Sequence, residues 1–319
     1  MMRGALVLLA LLWALPAAAQ TAWPSRPIRW VVGFAPGGVG DTTARLVAPR
    51  LAEALGQPVV IENRPSAGSI LASETVARAA PDGHTLLLVT ATAATAPHLF
   101  RSLPYDPIED FAFIGQIAFF HHAIVTRAAS PYRSLADLLA AARRRPGGVN
   151  LGSVSSGTAL HLSLVLFRAM AGVEAEIVTY RATGELLNAT ATGDVDAAME
   201  VAATTLPQIE GGRLRALAVT SPQRITALPG VPTAMEGGLP DYQVRTWNGL
   251  AAPARTPPAI VERLNAEIRR IMALPEIRER LLPLAVEPAA GSPEELRQLL
   301  VAETRLWGRV ITEARIERQ

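Results

Sequence analysis

Ile28-Arg29-Trp30-Val31-Val32-Gly33-Phe34-Ala35-Pro36-Gly37-Gly38-Val39-Gly40-Asp41 is the stretch that decides the fold class. Ile28 to Phe34 reads as a buried strand, Ala35 to Gly40 as a small-residue loop, and Asp41 as the N-cap of the helix after it. In that helix Ala44, Ala48, Leu51 and Leu55 share one face, Pro49 is expected to kink it, and Gly56 ends it. Strands follow at Val59–Glu62 and Thr85–Val89, with a helix over residues 69–80 between them. Strand and helix alternate, which implies a parallel sheet with helices on both faces.

Upstream lies an extended, Pro-marked arm, Trp23-Pro24-Ser25-Arg26-Pro27. Before it, Arg3, the apolar run Ala5–Leu15 and the small residues Ala17-Ala18-Ala19 read as a secretory signal peptide over residues 1–19, cleaved near Ala19. No later stretch is long and apolar enough to span a membrane. The 319 residues carry no Cys and no Lys, and their formal charge is +2. The cysteine count excludes disulfides, thiolate metal sites and a Cys nucleophile. The Arg residues are scattered, with no basic stripe interleaved with aromatics, so nucleic acid is excluded as a partner.

Downstream, the bridge Leu103-Pro104-Tyr105-Asp106-Pro107 leads to a strand near Phe113–Val125. A second series then begins: helix Leu135–Arg145, strand Asn150–Ser153, loop Val154–Thr158 and helix Ala159–Ala171, stopped by Gly172. Next come strand Ala175–Tyr180, helix Glu185–Thr192 and strands Val195–Met199 and Leu214–Thr220. The tail is helical over Ile260–Met272, Pro275–Leu282 and Pro293–Glu313. One strand, small-residue loop, helix unit thus lies in each half. A helix start offers unpaired N–H groups and partial positive charge, and small residues let an anion approach them. Gly37-Gly38 and Ser153–Thr158 are therefore either anion sites or plain tight turns. Neither carries a dinucleotide fingerprint or a P-loop.

The chain resembles the Bug-type receptors of tripartite tricarboxylate transporters along essentially its whole length after the leader. The resemblance is carried by Trp23–Arg29, Phe34–Gly38 with Asp41, Leu55-Gly56-Gln57-Pro58 through Glu62-Asn63-Arg64-Pro65, Pro81–Leu87 and Leu103–Pro107. It continues in Gly152-Ser153, His161-Leu162, Leu214–Thr220, Leu228–Thr233, Ala252-Pro253 and Leu264-Asn265. It implies a periplasmic binding protein, an α/β fold of the two-domain, type II-like flytrap kind with two interdomain crossovers, near Phe113–Val125 and Val244–Ala252. The expected lobes are residues 20–120 with 245–319, and residues 121–244. The implied first wall is Phe34, Ala35, Pro36, Gly37, Gly38 and Asp41. The implied second wall is Ser153, Ser155, Ser156, Gly157, Thr158 and His161. Tyr180, Arg181 and Glu200 line the selecting part. Three departures bear on selection: Gly40 replaces the usual hydroxyl or amide residue, Ser155 replaces a glycine, and Thr179-Tyr180-Arg181-Ala182 stands where the family has Pro-Tyr-Lys-Gly.

The expected ligand is a small carboxylate (a dicarboxylate, amino acid, hydroxy acid or aromatic acid), captured for membrane permease subunits by a monomer without cofactor. A ligand-presenting sensor is the alternative role. Arg181 is either a bidentate partner for a second carboxylate or a solvated strand-end residue. Glu200 is placed to accept from a ligand amine or hydroxyl. Catalysis is disfavoured, because the run is Ser-x-Ser-x-Gly and no acid is placed to orient His161. His121-His122 point to opposite faces of a strand and do not form a metal pair. Trp247 reads as core.

Overall fold

A computed structural model describes residues 23–154 and 158–318. The expected leader over 1–19, and Ser155, Ser156 and Gly157 of the second wall, lie outside the described residues. The chain begins with β1 (Ile28–Val32), α1 (Val39–Leu55), β2 (Val59–Asn63), α2 (Ile70–Ala77), β3 (Thr85–Thr90) and α3 (Thr92–Leu99). The 17-residue β4 (Phe111–Arg127) leads to α4 (Leu135–Arg144), β5 (Asn150–Val154), α5 (Ala159–Ala171), β6 (Glu176–Tyr180), α6 (Thr183–Thr192), β7 (Ala197–Val201), α7 (Ala202–Glu210) and β8 (Leu214–Val219). The last quarter supplies β9 (Arg245–Pro253), α8 (Pro258–Met272), α9 (Pro275–Leu281), β10 (Val286–Pro288) and α10 (Pro293–Glu313).

β4 belongs to two sheets. Residues Phe111–His121 pair antiparallel with β9, which pairs antiparallel with β3, and β3 and β2 flank β1 in parallel. Residues beyond His121 pair antiparallel with β7 and β8, while β5 is parallel to both β6 and β7. The two orders, β2-β1-β3-β9-β4 and β6-β5-β7-β4-β8, are one topology used twice. The sequence carries no matching repeat, so the likeness is one of connection and not of residues.

Three apolar clusters hold this together. One is continuous across both sheets and includes Val89, Leu162, Phe167, Tyr242, Trp247, Leu300 and Trp307. The second packs α1 and α8 on the opposite face of the first sheet, through Trp30, Val47, Leu51, Leu264 and Ile268. The third packs α6 and α7 on the second sheet, through Leu186, Ala198 and Leu206. Trp247 is fully buried as core, with its indole N–H 2.8 Å from a Glu303 carboxylate oxygen.

Several local readings need correction. α1 starts two residues before Asp41, so Gly38 and not Asp41 is its N-cap, and Pro49 lies inside the helix. α3 and α7 were not expected. Both are short, rich in Ala and Thr, and interrupted by a proline (Pro97, Pro207), so no apolar stripe marks them.

Candidate ligand-binding site

The path of β4 fixes where the two series meet. It runs parallel to β1 and β3 in the first sheet but antiparallel to β5 and β7 in the second. The carboxyl ends of β1 and β3 therefore point toward those of β5 and β7 across the middle of β4, near His121 and His122. Ligands of parallel α/β sheets bind at such ends.

In the first loop Ala35, Pro36, Gly37 and Gly38 are exposed and Phe34 is half-buried. Gly37 has φ of +89°, a backbone state costly for residues with a Cβ. Asp41 holds this turn. Its buried carboxylate accepts from the Gly37 N–H at 2.9 Å, Arg45 Nε at 2.9 Å and Asn63 Nδ2 at 2.8 Å. Burial opposes its ionisation, yet those three hydrogen bonds outweigh burial and hold the carboxyl below its ordinary range. Asp41 is thus committed to protein partners and shapes the loop. Arg45 is committed too, through Asp41 and the Asn63 carbonyl.

At the end of β5 the Ser153 side chain is fully buried. Thr158 caps α5, its hydroxyl accepting from the His161 N–H at 3.2 Å. His161 is buried, and burial followed by the charge of Arg168 lowers its pKa, which favours the neutral ring. Tyr180 is half-buried and Arg181 exposed at the end of β6, where the Arg181 N–H donates to Glu185. Glu200, at the end of β7, is 2% exposed. It accepts from the Thr183 hydroxyl at 2.9 Å and the Val201 N–H at 2.7 Å. Burial raises its pKa, and those two hydrogen bonds only partly oppose the rise. A carboxylate has about four acceptor positions, so Glu200 keeps acceptor capacity.

The helix starts sort by edge. α1, α2, α3, α6 and α7 follow parallel strands and start on the facing edges, and none has a side-chain N-cap hydrogen bond. α4 and α10 start elsewhere and carry full capping boxes at Ser134 and Ser292, while α8 and α9 open on proline. Among helices on the facing edges, α5 alone of those described is capped. Helix starts without a capping side chain are thereby gathered where the sheets meet, although in α2 the Leu71 N–H donates to the Ser66 hydroxyl at 2.9 Å. The starts of α3 and α7, beside Thr90, Thr92 and Val201, were missed with the helices themselves. Their one sequence signal was a strand running straight into small residues.

Two further groups lie close to the crossing. His121 Nε2 is 2.8 Å from a Glu287 carboxylate oxygen. His122 is fully buried with neither ring nitrogen hydrogen-bonded, and burial followed by the charge of His121 takes its pKa down to about 3. Among the described residues, no three His, Asp or Glu side chains are grouped to hold a metal ion.

Known proteins resemble this chain in sequence and in fold. The family model for the tripartite tricarboxylate transporter family receptor matches residues 43–316. A protein of Pseudomonas sp. strain P51, described as the UPF0065 protein in the tcbD-tcbE intergenic region, is 40% identical over 296 residues, 92% of this chain and 88% of its own. The solved structure of Rhodopseudomonas palustris Rpa4515 with adipate is 34% identical, with a TM-score of 0.82, covering 93% of this chain and 100% of that one. MatC of the same organism, with bound malate, is 34% identical, with a TM-score of 0.76, covering 91% and 100%.

Proposed function

From the premise that this chain belongs to the tripartite tricarboxylate transporter receptor family, a family of solute-binding receptors and not of enzymes, we propose that it captures a small carboxylate between the facing edges of its two sheets. The lobes of this reading are residues 20–120 with 245–319, and residues 121–244, joined at β4 and β9. The acid is delivered to membrane permease subunits by a monomer in the periplasm, after removal of a leader near Ala19.

The gathering of uncapped helix starts on the facing edges carries the reading. Each offers backbone donors and partial positive charge suited to an anion without a fixed cation. Adipate and malate in two relatives of similar fold support the same ligand class. Glu200 adds a buried acceptor, which favours an acid that also bears a hydroxyl or ammonium group.

The test is a thermal-shift panel of L-malate, adipate, citrate and L-glutamate. At least one acid raises Tm progressively with its concentration, because ligand binds only the folded chain. A flat response to all four overturns carboxylate capture.

A further inference from the structure

We infer that Asn248 is a specificity-determining side chain, whose amide N–H donates to the carboxylate held at the first turn of α1. The assignment rests on the carboxylate reading above and adds a residue to it.

Asn248 lies on β9 opposite Thr90 and Ala118. It is therefore level with the last residue of β3, just before the uncapped start of α3. Its side chain is 4% exposed, and its amide nitrogen is wholly enclosed without a hydrogen-bond partner among the described residues. Enclosed amides are nearly always paired, since leaving one unpaired costs the full loss of its hydration. The amide lies against the first turn of α1: a Cβ built on Gly40 would stand 3.2 Å from its nitrogen. Gly40 thus leaves the space the Asn248 side chain occupies. The N-cap of α1 is Gly38, which has no side chain to satisfy the N–H groups of that turn. An unpaired side-chain donor thus lies beside the first turn of α1, and an acid oxygen held at that turn would satisfy it.

A structural amide and a ligand-reading amide respond differently to substitution. Asn248→Leu keeps nearly the same volume and removes the unpaired polar group. Asn248→Asp keeps the shape and puts negative charge beside the anion. Gly40→Ala pushes a methyl group toward the amide. The experiment measures Tm without ligand and affinity by calorimetry, with L-malate, adipate, citrate and L-glutamate as probes.

The expected result for Asn248→Leu is an unchanged or higher Tm without ligand, with affinity for the bound acid down about tenfold or more. Asn248→Asp weakens binding further, and Gly40→Ala weakens it without acting additively with Asn248→Leu. Affinity of Asn248→Leu within about twofold of wild type overturns the assignment alone. So does a Tm without ligand that falls by about 5 °C or more in Asn248→Leu, which marks a structural amide. A wild-type protein that binds none of the four acids overturns the carboxylate reading, and this assignment with it.

Discussion

Asp41 and Glu200 are both buried carboxyl groups on the facing edges, and their surroundings push them in opposite directions. Asp41 is saturated by Gly37, Arg45 and Asn63 and stays ionised. Glu200 has only Thr183 and Val201, and burial prevails. The second arrangement suits a residue that waits for a donor. If Glu200 accepts from the hydroxyl of malate, it must be ionised to do so fully. Affinity for L-malate should then fall as pH drops through the raised pKa of Glu200, beginning above the ordinary carboxylate range. In Glu200→Gln the affinity is lower at neutral pH, and this component of the pH dependence is gone. Calorimetric titration across pH checks both, and an unchanged pH profile in Glu200→Gln removes Glu200 from ligand contact. Both carboxyl groups were singled out in sequence, Glu200 already as an acceptor for a ligand amine or hydroxyl, whereas the part Asp41 plays in the loop was not legible. Asp41 looked like an N-cap because the glycines before it hide the true helix start. Asn248 carried no signal, because its meaning lies in the absent side chain of Gly40, more than 200 residues earlier in the chain.

At the scale of elements, the units with contrast were legible. α5 and α10 run over the expected Ala159–Ala171 and Pro293–Glu313, because apolar periodicity and sharp stop or start signals coincide there. α3 and α7 lack that contrast and emerge only from their tight connection to β3 and β7. α10 also introduces a titrating group at the seam. Glu303 accepts the Trp247 indole N–H from β9, and burial raises its pKa to about 7 despite that bond and the charge of Arg245. The unfolded carboxyl releases its proton near its ordinary value, while the folded one keeps it until about 7. Stability therefore falls as pH rises through that window and stays low above it. Glu303→Gln keeps an acceptor for Trp247 and removes the titration. Discounted for part exposure, the effect is on the order of 2 kcal/mol. Thermal melts of Glu303→Gln should run roughly 4 °C above wild type near pH 8 and level with it near pH 4. Equal melts at both pH values count against a raised pKa.

For the whole molecule, the α/β class was legible as alternation and the two crossovers came with the family resemblance, whereas the doubled strand order was not legible, since it is a property of connections alone. Sharing β4 and one apolar cluster between the sheets couples them energetically. Calorimetry should therefore record one unfolding transition, with the measured enthalpy matching the van't Hoff value. Two resolved transitions would mean that the sheets melt separately.

The place of β9 in the first sheet has a temporal consequence. Thr90 pairs with Asn248, so everything encoded between them must leave the ribosome before β3, already beside β1, gains its second neighbour. During synthesis the early strands wait as a small sheet with an open border, which cannot close on its own. Such a chain stays unfinished until its last quarter emerges, and pairings so distant in sequence are slow to form. A nascent polypeptide that cannot lock its opening hundred residues into final shape remains threadable, as the export proposed above would require.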